Sequence, residues 1–159
     1  MLPPSIPTTR LQTVLRILLG AFMLKAGSGH LTFQRAEFQA QVPTWLPLDS
    51  DLVVLLSGLA EISLGLAMIL WSSRKVYVGL ALATFFVLIF PGNISQYVNH
   101  ISAFNLDTDR ARLIRLFFQP VLIAWALWST GAWQAWRQRH RRATAETGWP
   151  GTPAADVTH

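Results

Sequence analysis

The sequence predicts an all-α integral membrane protein: a four-helix bundle with an amphipathic surface helix in its first outer loop. Only 13% of the 159 residues are charged, against about 25% in a soluble domain. No Asp, Glu, Lys or Arg occurs in residues 76–106 or in residues 116–136. A helix needs roughly 20 apolar residues to cross about 30 Å of hydrocarbon, and four stretches of the chain meet that requirement.

The predicted membrane helices cover residues 10–31, 51–71, 74–97 and 112–137. The first is the least apolar, because Gln12, Arg16 and Lys25 interrupt it. It nevertheless has neither the basic start nor the Ala-x-Ala site of a signal peptide, which favours a membrane helix. The short link after the second helix predicts a tight antiparallel hairpin. Pro91 is expected to end or kink the third helix, although polar residues continue beyond it at helical spacing.

The segments outside the four helices differ in character. In the first loop Phe38, Val42 and Leu46 recur at helix-like spacing, which predicts a short amphipathic helix on the outer surface, over the membrane helices. Residues 1–9 are an N-terminal segment, and residues 10–137 form the membrane domain. Residues 138–159 are basic at first and then rich in Thr, Ala, Pro and Gly, which predicts a disordered tail.

The positive charges indicate the direction of the chain in the membrane. Four of the basic residues, Arg137, Arg139, Arg141 and Arg142, directly follow the last apolar run. Such a cluster is typical of a cytoplasmic flank rather than of a nucleic-acid site. With both termini cytoplasmic, more basic residues lie inside than outside, so we expect a multi-pass protein of the cell membrane with that topology.

Cysteine is absent, which excludes disulfides, iron–sulfur clusters and Cys-ligated zinc. His30 and His100 lack the spacing of a metal or haem motif, so no metal site and no covalent cofactor are predicted. Any redox chemistry must therefore depend on a bound molecule or on a partner protein.

Polar residues inside the apolar runs are the candidate site, because each ionisable group at mid-bilayer costs roughly 2.5–3.5 kcal/mol. From the rise of about 1.5 Å per residue, Glu61 lies near the midplane and the others lie nearer the outer side. The sequence thus predicts an outward-facing polar pocket, with Glu61 as its floor and walls that include Lys25, His30, Asn93, Arg115 and Gln119.

Each of these residues also has a structural interpretation. Lys25 and Glu61 form either an ion pair between helices or a ligand or proton site. Asn93 and Gln119 serve as interhelical hydrogen-bond partners more often than as ligands. Arg112 is expected to extend to the outer interface, and Arg115 either extends there as well or belongs to the pocket. The glycines of the first two helices are expected to permit close packing.

Five short motifs, in this order along the chain, resemble the signatures of the DoxX family of small four-helix membrane proteins. They are Ala26-Gly27-x-x-His30-Leu31, Phe38-x-x-x-Val42-Pro43-x-Trp45-Leu46-Pro47, Ser57-Gly58-x-x-Glu61-Ile62-x-x-Gly65, Phe90-Pro91-x-Asn93 and Arg115-Leu116-x-x-Gln119.

The DoxX resemblance implies a membrane subunit associated with redox enzymes, after the small subunit of a thiosulfate:quinone oxidoreductase. The expected function is therefore the binding of quinone or another small lipophile in the outward-facing polar pocket. The expected partners are the lipid bilayer, a membrane or peripheral redox protein, and a further copy of the chain. Neither an enzymatic activity nor a catalytic residue is assigned.

The alternative function is that of a non-catalytic membrane scaffold or assembly protein, whose interhelical polar pairs are structural. A transporter is disfavoured, because four helices without an inverted repeat leave little room for alternating access.

Overall fold

The computed structural model describes residues 2–146, and within that range the chain is all-helical. A 3₁₀ turn, Ser72–Arg74, precedes the fourth of six α-helices. The helices are α1 (Arg10–Leu31), α2 (Arg35–Gln41), α3 (Ser50–Leu70), α4 (Lys75–Val98), α5 (Asp109–Ser129) and α6 (Ala132–Glu146).

Four helices are long and apolar enough to cross a membrane: α1, α3, α4 with its preceding 3₁₀ turn, and α5. Many large apolar side chains on these helices point away from the protein, among them Leu56, Leu88 and Phe117. An exposed apolar surface of this extent suits lipid rather than water. The chain therefore has the helices of a membrane protein, as its composition predicts.

Polar side chains cap the start of three of these helices. Thr9 and Gln12 form a reciprocal capping box at α1. The side chains of Asp49 and Thr108 accept hydrogen bonds from backbone N–H groups in the first turns of α3 and α5. Such caps satisfy N–H groups that have no partner within the helix.

Helices α1 and α3 pack closely because glycines face each other at two levels. A Cβ atom on Gly20 would lie 2.8 Å from the carbonyl oxygen of Gly65, and one on Gly27 would lie 2.7 Å from that of Gly58. The order of these contacts makes the two helices antiparallel. The prediction that the glycines permit close packing is confirmed.

Helices α4 and α5 form a second packed pair, and the two pairs contact each other over shorter stretches. Their shared core includes Leu19, Met68, Leu82 and Phe86. Helix α4 continues through Pro91 to Val98, so the proline does not end the helix.

The prediction of one helix over residues 112–137 is wrong. Helix α5 begins earlier, at Asp109, and ends at Ser129, and α6 starts at Ala132. Between them Gly131 has a φ angle of +76°, a conformation that glycine adopts without steric cost. The break allows α6 to continue the chain as a separate helix.

The prediction of disorder from residue 138 is wrong as far as Glu146, where α6 ends. Arginine has a high helix propensity, so the basic stretch continues the helix that Ala132 begins. The remainder of the predicted tail, residues 147–159, lies outside the described residues.

The N-terminal segment packs against the same end of the helices as α6. The backbone N–H of Val76 donates to the carbonyl oxygen of Pro4 at 3.1 Å. Ile6 is buried with Val76, Ala132 and Ala135. We call this the α6 end and the opposite end, where α2 lies, the α2 end.

Candidate functional site

A cavity of about 860 Å³ lies between the two helix pairs in the half of the protein nearer the α2 end. Its walls are mainly apolar and include the aromatic side chains of Phe22, Trp45, Phe85 and Phe118. All of the site residues predicted from the sequence line it: Lys25, His30, Glu61, Asn93, Arg115 and Gln119.

His30 and Glu61 form a buried dyad in the cavity wall, only 6% and 5% exposed. Nε2 of His30 lies 3.4 Å from Oε2 of Glu61, but the two atoms are not aligned for a hydrogen bond. Within residues 2–146 neither atom has another hydrogen-bond partner. Two polar atoms of the dyad are therefore buried without a hydrogen-bond partner in this part of the chain.

The other ring nitrogen of His30 has a backbone partner in α3. Nδ1 of His30 lies 3.2 Å from the carbonyl oxygen of Val54. Because a carbonyl only accepts hydrogen bonds, Nδ1 must carry a proton. A neutral ring then presents a lone pair at Nε2 towards the carboxyl of Glu61.

Helix geometry brings the two side chains together. In an α-helix each Cα–Cβ bond tilts towards the N-terminus. His30 lies nearer the α2 end than Glu61 does, so on these antiparallel helices the two side chains lean towards each other. The glycines leave space for them: a Cβ on Gly58 would lie 2.7 Å from Cβ of His30, and one on Gly27 would lie 3.0 Å from Cβ of Glu61. The close packing of α1 and α3 therefore also forms the dyad.

The predicted ion pair between Lys25 and Glu61 does not form. Lys25 is exposed at the edge of the cavity, and the ionisable partner of Glu61 in the described chain is His30. The depths of the two residues allow contact, but Lys25 lies two residues from Gly27 and so on a different side of α1 from the face that meets α3.

Asn93 and Gln119 form an interhelical pair on the opposite wall. Nδ2 of Asn93 donates to Oε1 of Gln119 at 2.9 Å, and Nε2 of Gln119 donates to the carbonyl oxygen of Phe86 at 2.7 Å. These bonds join α4 to α5. These contacts support the interpretation of Asn93 and Gln119 as interhelical hydrogen-bond partners.

Arg115 lies on the α5 wall beneath α2. Its Nη2 donates to Oε1 of Gln41 at 3.0 Å, and its guanidinium carbon lies 4.4 Å from the centre of the Phe104 ring. Such a cation–π contact holds the charge beside the cavity. Nε2 of Gln41 in turn donates to Oε1 of Gln96 in α4.

Helix α2 and residues 99–108 cover the cavity at the α2 end. The ring of Phe38 stacks on His30 with a centroid separation of 3.4 Å and meets Phe104 edge-on at 4.6 Å. The backbone N–H of Phe104 donates to the carboxylate of Glu37. Phe104 has a φ angle of +57°, which is rare for a bulky residue, so this contact holds the ring in an otherwise unfavourable backbone conformation.

Two arginines stabilise this cover from its edges. The Asp51 carboxylate accepts hydrogen bonds from Arg35, joins α2 to α3 and raises the pKa of that guanidinium above its usual value. Arg112 is buried and donates to the carbonyl oxygen of Ile101 at 3.1 Å and to Oγ of Ser102 at 3.1 Å. The expectation that Arg112 extends to the interface is therefore wrong.

The sequence patterns did not indicate Gln41, Glu37 or Phe104 as residues of the site. The spacing could have indicated Gln41, because it follows Phe38 by three residues and so lies on the same helix face. Phe104 has no comparable signal, since its position depends on contacts with distant parts of the chain. In residues 2–146 no group of three His, Asp or Glu side chains is arranged to hold a metal ion.

The described fold and site define a class: an all-helical protein with four helices suited to a membrane and a mainly apolar cavity with a buried His–Glu dyad in its wall. The family model described as Domain of unknown function (DUF8561) matches residues 19–130. The chain therefore belongs to the DUF8561 family. No curated protein and no solved structure matches it.

Proposed function

We propose that this chain is a DoxX-like four-helix bundle of the cell membrane, with both termini cytoplasmic, that binds quinone or another small lipophile in its cavity. As a redox-associated subunit it would serve a membrane or peripheral redox protein, alone or as a homo-oligomer. The observation that carries the proposal is the buried His30–Glu61 dyad, which lines a mainly apolar cavity and holds two polar atoms without a hydrogen-bond partner in residues 2–146.

The size and lining of the cavity suit such a ligand. A volume of about 860 Å³ falls within the range of roughly 300–1,000 Å³ that is usual for small-molecule sites. The aromatic and aliphatic walls suit a ring and the first part of a hydrocarbon tail. The few polar groups, at the dyad and at Arg115, would orient the oxygen atoms of the ring.

The dyad suits both redox states of a quinone. In a protonated form the dyad would donate a hydrogen bond to a quinone carbonyl, and in a deprotonated form it would accept one from a hydroquinone hydroxyl. Reduction of a quinone consumes two electrons and two protons. The dyad would supply one of these protons and solvent the other, whereas the electrons would come from a partner, because the chain has no cysteine to hold a metal cluster.

Binding of decylubiquinone to the purified full chain in detergent tests this function, with tryptophan fluorescence as the readout because Trp45 lines the cavity. His30→Phe keeps an aromatic ring beside Phe38 but removes the polar atoms. We expect it to weaken binding about tenfold or more, since a hydrogen bond to a charged group contributes about 1.5–3 kcal/mol.

His140→Phe is the matched control, because His140 is exposed on α6 at the other end of the protein. It should bind the quinone as the parent does. Both variants should retain the helical circular dichroism of the parent. Failure of the parent to bind the quinone, or equal binding by folded His30→Phe, would contradict the proposed function.

The alternative function is a non-catalytic membrane scaffold or assembly protein. The observation that favours it is that Asn93 and Gln119 bond to each other and to the α4 backbone rather than presenting all their polar atoms to the cavity. A parent protein that binds no lipophile, yet loses a co-purifying membrane partner when Gln119 is replaced by Leu, would favour the scaffold.

A further inference from the structure

The α6 end carries a concentration of positive charge that the cavity does not involve. Arg137, Arg139, Arg141 and Arg142 are all exposed on α6. The acidic residues of the described chain up to residue 142 lie elsewhere: Glu61 lines the cavity, and the others lie at the α2 end. The exposed arginines are thus not neutralised by acidic side chains of this part of the chain.

Exposed aromatic rings adjoin these arginines. Trp133 and Trp136 are 51% and 47% exposed, with ring centroids 5.5 Å apart. His140 meets the ring of Trp136 edge-on at 4.4 Å. At about 100° per residue the three rings occupy one stripe of α6, with Arg137 to one side and Arg139 to the other.

The remaining face of α6 is already occupied. Ala132 and Ala135 are fully buried against Ile6 and Val76, which holds the first turn of α6 on the body of the protein. The start of α6 follows the end of α5 by two residues, Thr130 and Gly131. Since α5 is long and apolar enough to cross a membrane, α6 would begin where that helix leaves the hydrocarbon.

We propose that α6 binds the headgroups of anionic phospholipids at the membrane surface. Tryptophan favours the boundary between hydrocarbon and headgroups, which would place the aromatic stripe there. The neighbouring guanidinium groups then lie level with the phosphates, to which arginine binds in a bidentate manner. An acidic soluble protein would be attracted to the arginines, but its binding would not explain the exposed tryptophans beside them.

The test uses the full chain in nanodiscs of phosphatidylcholine that contain an equal mole fraction of either brominated phosphatidylglycerol or brominated phosphatidylcholine. Bromine on the acyl chains quenches nearby tryptophans. Nanodiscs expose both faces, so the orientation of the protein does not affect the result. We expect phosphatidylglycerol to quench more strongly, by about twofold or more, because basic residues attract anionic lipids near the surface.

The variant R137Q/R139Q/R141Q/R142Q keeps every tryptophan and should show equal quenching by the two lipids. Arg110→Gln removes an exposed arginine at the α2 end and should retain the excess. Trp133→Phe with Trp136→Phe should lose most of the excess, because it removes the two exposed tryptophans of α6.

Circular dichroism and the thermal midpoint establish that each variant is folded. Equal quenching of the parent by the two lipids would overturn the proposal and leave an acidic soluble partner as the occupant of α6. A folded arginine variant that keeps the full excess would also overturn it.

Discussion

Gly58→Ala tests whether the glycine contacts position the dyad. The added Cβ would lie 2.7 Å from Cβ of His30, 3.1 Å from the carbonyl oxygen of Gly27 and 3.2 Å from Cδ2 of Leu31. Carbon atoms in contact are normally about 3.5–4.0 Å apart. Because Cβ of His30 is fixed to its backbone, α1 must move away from α3 by roughly 1 Å.

The cost of this movement follows from two opposing terms. Overpacking of a close contact costs about 1–3 kcal/mol. Replacing a glycine within a helix by alanine contributes about 0.5–1 kcal/mol in the opposite direction. We expect Gly58→Ala to lower the free energy of unfolding by about 0.5–2 kcal/mol, and to displace His30 from Glu61.

Gly92→Ala is the matched control, because it makes the same chemical change within a membrane-spanning helix. Among the described residues its Cβ would meet one atom, the carbonyl oxygen of Gln41 at 3.3 Å, which is a milder overlap than at Gly58, so it should destabilise less than Gly58→Ala. Unfolding of the purified proteins in mixed micelles, followed by circular dichroism, gives the difference. If Gly58→Ala were as stable as Gly92→Ala, the argument that the glycines set the spacing of α1 and α3 would fail.

Three further substitutions test other parts of the fold by the same unfolding measurement. Arg16→Met removes buried hydrogen bonds to the last turns of α3 and to Ser72 and should destabilise by about 1–3 kcal/mol; an unchanged midpoint would contradict this. Gln119→Leu removes the bond to the Phe86 carbonyl oxygen and should cost about 0.5–1.5 kcal/mol, whereas a gain would show that the polar pair is dispensable. Gly131→Ala forces a left-handed conformation on alanine and should lower the free energy of unfolding by about 1–2 kcal/mol. An unchanged stability would show that the turn can relax to another conformation.

The four membrane helices could be predicted because a long apolar run indicates a segment that lipid can surround. The break between α5 and α6 was not predictable in the same way. Residues 116–136 are free of charge throughout, and hydropathy measures polarity rather than backbone angles. The turn depends on the positive φ of Gly131 and on its packing against Ile6.

The residues of the site could be predicted as far as their depth along the membrane helices identifies them. Counting residues from the ends of the runs places Glu61, Asn93 and Gln119 at levels that the cavity reaches. The cover of the cavity was not predictable by counting. The contact between Glu37 and Phe104 joins two segments far apart in sequence, and only the folded chain brings them together.

The partner of Glu61 depends on direction around α1, which depth alone does not give. Gly20 and Gly27 are seven residues apart, so they mark one face of the helix, and His30 lies three residues further on the same face. Lys25 precedes His30 by five residues, about 140° away around the helix. The same spacing occurs on α3, where Glu61 follows Gly58 by three residues. Each of the two antiparallel helices therefore has a glycine at the contact and a polar residue three positions later, and these two polar side chains point at each other. The glycine pattern indicated His30 as the partner of Glu61, whereas residue depth alone indicated Lys25.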